Sequence, residues 1–282
     1  MLLIRSARRM LAVAQRLERS GRSTGVVPTM GCLHEGHLSL IRAAARETRT
    51  VIVTIFVNPL QFGPHEDYRR YPRTLARDLR LARAAGANIV FVPSIRELYP
   101  EGFASSLSVG AVATPWEGRA RPGHFQGVAT VVAILFQLTR PARAYFGQKD
   151  YQQTRIVQQL ITDLRLPIRL RVLPTVRAAD GLAISSRNVY LSREDRRRAT
   201  VLFRALGAAR AQIRRGARQS AAVEAGMRRL VRGEAGVRLE YAVVVDAQTL
   251  RRPGRLRGRV AVLIAASVGR TRLIDNLLVD VP

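Results

Sequence analysis

Residues 25–57 read GVVPTMGCLHEGHLSLIRAAARETRTVIVTIFV. Gly25 to Pro28 reads as the end of a buried strand. Gly36 to Glu47 carries Leu38, Ile41 and Ala45 on one helical face. Thr50 to Val57 is a β-branched run of the kind buried on both sides in a parallel sheet. A strand, a helix and a second strand in close succession describe a crossover unit, because parallel neighbours need a helix between them.

The alternation continues on the C-terminal side. Thr74 to Ala85 reads as a helix, Ala87 to Val92 (ANIVFV) as a strand, Phe125 to Leu138 as a helix and Ala142 to Phe146 as extended. Tyr151 to Leu164 is again helical, and Ile168 to Val176 again extended. The N-terminal MLLIRSARRMLAVAQRL has a leader-like lack of acids, but in so arginine-rich a chain it reads better as a short strand and an amphipathic helix. The expected class is α/β: a Rossmann-like parallel sheet with helices on both faces. After Val176 the character changes. A polar loop, Arg177 to Asn188, leads into Arg/Ala-rich helical sequence over 193–232. Strands follow at Leu239 to Val245 and Arg259 to Ala266. The expected domains are 1–176 and a smaller α+β lid at 177–282.

Composition narrows the classes. The 282 residues are 47% apolar, which argues for folded cores rather than disorder. The longest apolar stretch, Gly127 to Leu138, is about a dozen residues, short of the roughly 20 a bilayer demands; a soluble, cytoplasmic protein without membrane contact is expected. One cysteine, Cys32, allows no internal disulfide and no thiolate cluster. The net charge of +27 suggests a polyanionic partner. The basic residues are spread evenly, however, without interleaved aromatics or zinc-finger spacing, so no specific nucleic-acid partner is expected. All but one of the 47 basic residues are arginine; the exception is Lys149.

That exception is informative. A compact ammonium serves phosphate oxygens as a point charge in a way a guanidinium does not, and Lys149 sits in Gly147-Gln148-Lys149-Asp150, just after a short strand. His34 and His37 form the other strong signal. Two of only four histidines fall on one face of a first helical turn, where unpaired N–H groups and the helix dipole attract phosphate. Gln61, in Asn58-Pro-Leu-Gln-Phe62, lies past the carboxyl end of the run TVIVTIFV, where an amide can donate to and accept from a hydroxy acid. Ile184-Ser185-Ser186-Arg187 places two hydroxyls and a guanidinium in a loop that can close over phosphates.

His34-x-Gly36-His37 resembles the signature of the nucleotidylyltransferase superfamily. PTMGCLHEGHLSL (28–40) resembles the pantothenate synthetase family within it, and so do IFVNPLQFGPHEDYRRYPRTLARDL (55–79) and RPGHFQGVATVV (121–132). FGQKDYQQ (146–153), PTVRAADGLAISSRNVYLS (174–192) and TRLIDN (271–276) continue the match, in order, along nearly the whole chain.

The resemblance implies an enzyme that joins pantoate to β-alanine with ATP through a pantoyl adenylate, releasing pyrophosphate and then AMP. It implies ATP contacts at Met30, Gly31, Cys32, Leu33, His34, Glu35, Gly36 and His37. Further contacts are implied at Gly147, Gln148, Lys149 and Asp150, at Val176, and at Ile184, Ser185, Ser186 and Arg187. His34, His37, Lys149, Ser185, Ser186 and Arg187 would act on the phosphates, with His37 as the family's proton donor. Gln61 and Gln153 would hold pantoate, and Gln61 would also meet β-alanine. Asp78 matches a family carboxylate associated with Mg²⁺, although a surface aspartate between Arg77 and Arg80 is an alternative. A homodimer is implied. Cys32 reads as a spacer, and Glu66 and Asp67 as solvated loop residues. Gln148 departs from the family, which commonly has glutamate there.

Overall fold

The strand segments Thr24–Thr29, Thr50–Ile55 and Ile89–Phe91 are short and mostly Val, Ile and Thr, and both their faces are buried, as the interior of a sheet covered by helices on two sides requires. A computed structural model describes residues 1–64 and 66–282; within the blocks quoted above, only His65 lies outside the described residues. The chain divides into two compact units. One comprises 1–148 and 152–174; the other comprises 149–151 and 175–282.

The first unit opens with β1 (Leu2–Ile4), α1 (Ala7–Arg19), β2 (Thr24–Thr29), α2 (Glu35–Glu47) and β3 (Thr50–Ile55). Next come α3 (Leu75–Ala84), β4 (Ile89–Phe91), and two single-turn helices, α4 (Ile95–Leu98) and α5 (Glu117–Ala120). It ends with α6 (His124–Thr139), β5 (Arg143–Gly147), α7 (Tyr151–Asp163) and β6 (Arg169–Leu173). All six strands are parallel, in the order β1-β4-β3-β2-β5-β6. The chain builds outward from β2 to β3 and β4, then returns to the other side of β2 for β5 and β6. β2 and β5 are therefore the strands at which the direction of winding reverses. They pair only at Gly25↔Arg143 and Val26↔Ala144. In such sheets ligands bind beyond the carboxyl ends at this reversal.

The alternation of side chains sorts the core into two layers. Val26, Ile52 and Ala144 face Met10 and Ala14 of α1, the apolar side of α6, and Ile156 and Leu160 of α7. Val27, Val51 and Val53 face Leu38, Ile41 and Ala44 of α2 and Ala82 of α3.

The second unit contains α8 (Arg193–Ala199), α9 (Val201–Arg214), α10 (Ser220–Arg232), β7 (Val237–Asp246), β8 (Arg259–Val268) and β9 (Thr271–Asp280). The strands form an antiparallel meander, β7-β8-β9. Alternate residues such as Val244, Val262 and Ile264 pack with Leu202, Leu206, Ile213 and Met227 of the helices. The helical stretch over 193–232 is thus three helices, and the strands run longer than their apolar cores suggested.

Candidate active site

The segment after β2 is built around two histidines. Gly31 (φ +82°) and Cys32 (φ +49°) both take left-handed backbone and turn the chain sharply off the strand. His34 is extended and occupies the N-cap of α2, its carbonyl accepting from the N–H groups of His37 (2.8 Å) and Leu38 (3.0 Å). In return His37 Nδ1 accepts from the His34 N–H at 3.4 Å, a reciprocal cap. With Nδ1 accepting, neutral His37 carries its proton on Nε2. The two rings lie 4.0 Å apart, centroid to centroid. Gly36 makes room for them, since a Cβ there would stand 3.0 Å from the His34 ring. Glu35 is engaged by Arg42 of the same helix.

Gln61 leaves β3 in a short turn, Pro59–Gln61, capped by Asn58. Asn58 is buried and fully used. Its Oδ1 accepts from the Leu60 N–H (3.2 Å) and the Tyr99 hydroxyl (2.7 Å), while Nδ2 donates to Gln61 Oε1 and the Gly127 carbonyl, both at 3.1 Å. The Gln61 amide is thereby oriented, with Oε1 held by Asn58 and Nε2 directed to Met30 Sδ at 3.2 Å. The Gln61 carbonyl is gripped by His124 Nδ1 (2.8 Å) and Arg121 Nη2 (3.3 Å). Arg121 also donates to His124 Nε2 at 3.0 Å, forms a two-pronged pair with Glu66, and lies 3.6 Å from Glu117. Burial, reinforced by the Arg121 guanidinium, pushes the His124 pKa down to about 4, so the ring is neutral. Glu66 is ion-paired rather than solvated, contrary to the sequence reading, because the RPGH turn delivers Arg121 to it.

On α7, Gln152 is buried and ties down 112–117 by donating to the Val112 and Pro115 carbonyls and accepting from the Glu117 N–H. Gln153, beside it, is half-buried. The segment from Glu117 to His124 therefore connects the Gln61 turn to the first turn of α7.

Asp78 lies on the first turn of α3 and is 1% exposed, so it is not a surface residue. Its Oδ2 accepts from the Cys32 N–H (2.9 Å) and its Oδ1 from the Leu33 N–H (2.8 Å). The Thr74 hydroxyl lies 3.1 Å from both oxygens. This set does not fit a metal ligand: the carboxylate is already turned to backbone donors. No group of three or more His, Cys, Asp or Glu residues suited to a metal occurs among the described residues.

In the second unit, Lys149 and Asp150 belong to a helical turn, Gln148–Asp150, that follows Gly147 at the end of β5. Lys149 Nζ lies 3.6 Å from Asp150 Oδ1, and the lysine side chain is 20% exposed. The Lys149 carbonyl accepts from Asn276 Nδ2 of β9 at 2.8 Å, and the Tyr151 hydroxyl donates to the Ala247 carbonyl at 2.6 Å. The loop after β6 is a small hairpin. The Ile184 N–H donates to the Val176 carbonyl (3.0 Å), and Arg177 pairs with Ala183. Val176 and Ile184, 8 residues apart in sequence, are thus direct neighbours. Ser185 caps the turn Ser186–Tyr190 by accepting from the Arg187 N–H, and Asn188 Nδ2 ties the turn to the Ala183 carbonyl. The hairpin base is fixed by Arg177, whose guanidinium makes a two-pronged pair with buried Asp275 (2.6 and 2.9 Å) and stacks over Phe203 at 4.4 Å.

A family model described as pantoate-beta-alanine ligase matches residues 2–278. The chain belongs to that family. Among pantoate–β-alanine ligases, the pantothenate synthetase of Roseiflexus castenholzii is 52% identical over 258 residues, 92% of this chain and 93% of the relative. That of Caldicellulosiruptor bescii is 45% identical, covering 99% of both chains. The crystal structure of the Thermus thermophilus pantothenate synthetase superposes with a TM-score of 0.93 at 46% identity, covering 98% of this chain and 99% of that one. A Francisella tularensis pantoate–β-alanine ligase, solved in complex with beta-gamma ATP and β-alanine, gives 0.80 at 33% identity, covering 99% and 97%. The parallel sheet with flanking helices and the added antiparallel sheet are the architecture of these enzymes. Sequence reasoning picked out Gln61 of this ligase but passed over Asn58, Tyr99, Arg121 and His124, which orient it. Asn58 and His124 lie inside quoted blocks, and His124 is one of four histidines, so a signal was there; Tyr99 had none.

Proposed function

We propose that this ligase makes pantothenate in two steps. A pantoate carboxylate oxygen attacks the α-phosphorus of ATP; the bond to the β-phosphate breaks, pyrophosphate leaves, and pantoyl adenylate forms. The amine nitrogen of β-alanine then attacks the activated carbonyl carbon, loses a proton, and expels AMP. The observation that carries this reading is the close His34–His37 pair, rings 4.0 Å apart and tilted by 32°, at the N-terminus of α2, beyond the carboxyl end of β2 where the sheet reverses.

No protein nucleophile is needed, so the residues act by positioning and charge stabilisation. The segment Met30 to His37 is assigned to ATP, with His37 Nε2–H and His34 serving charge that develops on the departing phosphates. Lys149, with Gly147, Gln148 and Asp150, and Ser185, Ser186 and Arg187, with Val176 and Ile184, are assigned to the same nucleotide. Gln61, its Nε2 set by Asn58, and Gln153 are assigned to pantoate. ATP and β-alanine as substrates are supported by the ligands of the Francisella relative. Mg²⁺ enters this reading as part of the substrate Mg·ATP, with no protein ligand assigned. A homodimer in the cytoplasm completes it, by resemblance; no helix among the described residues is long and apolar enough to cross a membrane.

The test is to omit ATP, Mg²⁺, pantoate and β-alanine in turn while following pyrophosphate and AMP. Pyrophosphate should appear in a single turnover with pantoate alone, and AMP should be freed only when β-alanine is added. Pyrophosphate release that requires β-alanine would refute the two-step order.

A further inference from the structure

The environment of Asp78 answers a different question from the one its resemblance posed. Two successive left-handed residues, Gly31 and Cys32, aim the N–H groups of Cys32 and Leu33 in one direction. Consecutive N–H groups in such a turn make a concavity that takes an anion. Here the anion is the chain's own carboxylate. The Cys32 and Leu33 N–H groups are each held by a separate oxygen of Asp78, and Thr74 one turn earlier supports both oxygens. Arg77, next to Asp78 on α3, reaches the same turn from the acceptor side, donating to the Leu33 carbonyl at 3.1 Å. A carboxylate offers about four lone-pair positions, and three donor hydrogens, two N–H groups and the one Thr74 hydroxyl shared between the oxygens, engage both oxygens. The residue after Leu33 is His34, whose backbone begins α2 and whose neighbour one turn on is His37.

We propose that Asp78 is a positioning residue: with Thr74 and Arg77 it clamps the left-handed turn at Gly31–Leu33 and so fixes where His34 and His37 stand, and it does not ligate the metal. The proposal rests on the nucleotide role given to the two histidines. Its anionic grip also removes the Cys32 and Leu33 N–H groups from the set available to phosphate, leaving the other contacts of the Met30–His37 segment to the nucleotide.

The experiment pairs kinetics with amide hydrogen exchange on Asp78→Asn. The amide replaces one acceptor oxygen with a donor that must face an N–H group, so one charge-assisted bond is lost. In protein free of metal and nucleotide, exchange at Cys32 and Leu33 should accelerate at least about tenfold, while Val27 and Val53 in the adjoining strands stay slow. In single-turnover pyrophosphate release, the maximal rate should fall about ten- to a hundred-fold with the half-saturating Mg²⁺ concentration unchanged. A several-fold rise in that concentration, with the rate regained at excess Mg²⁺ or Mn²⁺, would overturn the proposal; so would unchanged exchange at both amides. If Asp78→Asn does not fold, Thr74→Val keeps the carboxylate and removes only its hydroxyl support. It should give a smaller loss of maximal rate that Thr74→Ser restores, again at unchanged Mg²⁺ dependence. A wild-type rate in Thr74→Val, or a shift in its Mg²⁺ dependence, counts against the clamp. Because exchange is read without substrates, it stands or fails independently of the order in which pyrophosphate and AMP are released.

Discussion

Four residues carry the sharpest expectations. On the role proposed for them, replacing His34 or His37 by alanine removes a preorganised donor from developing phosphate charge, a loss that costs roughly 10²–10³ in rate in other enzymes. Each variant should show that loss in pyrophosphate release while its circular dichroism and melting stay close to the parent. Near-parental turnover in both would reduce the pair to a helix cap. Lys149 is the only ε-amine in the chain, so one acetyl group per molecule, beyond the α-amine, reports on it directly. Acetylation should abolish pyrophosphate release, Mg·ATP should protect, and Lys149→Arg should be severely impaired, since a planar fork replaces a point donor. Full activity in the arginine variant would make the lone lysine an accident of composition. His124 makes a pH-dependent contribution of defined sign. Its pKa is about 4 in the folded chain against an ordinary 6.5. Above pH 6.5 both folded and unfolded states are neutral and nothing changes. Below it the unfolded chain takes a proton that the folded one refuses, so stability declines from pH 6.5 toward 4, by up to about 3 kcal/mol. Urea midpoints at pH 7 and 4.5 should diverge more for the parent than for His124→Gln, and equal shifts would exclude His124 as the cause.

At the scale of elements, contacts between distant segments decide what periodicity cannot. The run TVIVTIFV marks a buried strand correctly, yet the strand stops at Ile55: the Phe56 N–H makes the last bond to β2, at the Thr29 carbonyl where β2 itself ends, and Asn58 starts a new turn. The alternation of strands and helices was legible because the inner strands β2, β3 and β4 are buried on both faces and helices such as α1 and α2 on one. Asp78 was not legible. Its place on α3 follows from the pattern, but its partners lie 45 and 46 residues earlier, in a turn whose backbone direction no residue type announces. The TRLIDN block was legible as a match and opaque as to purpose; the fold gives it one. Asp275 pins Arg177 at the base of the Val176–Ile184 hairpin, and Asn276 pins the carbonyl of Lys149. Asn276→Ala removes a hydrogen bond worth about 1 kcal/mol. Lys149 should then acetylate about fivefold faster, with a raised KM for ATP. Unaltered acetylation and KM would show that the turn holds itself.

For the molecule as a whole, the charge of +27 is the property most open to misreading. It is what remains after pairs such as those of Arg121, Arg171, Arg177 and Arg252 with Glu66, Glu47, Asp275 and Glu224 are set aside, and the excess arginines are spread along the chain without interleaved aromatics. Association with RNA should accordingly be weak and sequence-blind, and gone by about 0.2 M salt, as expected of binding driven by counterion release. A sequence-selective complex that persists at that concentration would reveal a second function. Each unit carries its own core, but the division does not follow the order of the chain: residues 149–151 group with the later unit although 152–174 return to the earlier one. This bears on how the protein is made. Synthesis runs from the N-terminus, and segments fold as they emerge. The six-stranded sheet has all its strands once β6 is out, yet the Lys149 carbonyl waits for an asparagine added 127 residues later. A ribosome-bound chain stalled before β9 would thus hold its histidine turn in place while its lysine turn stayed unanchored, a nascent protein finished at one end and waiting at the other.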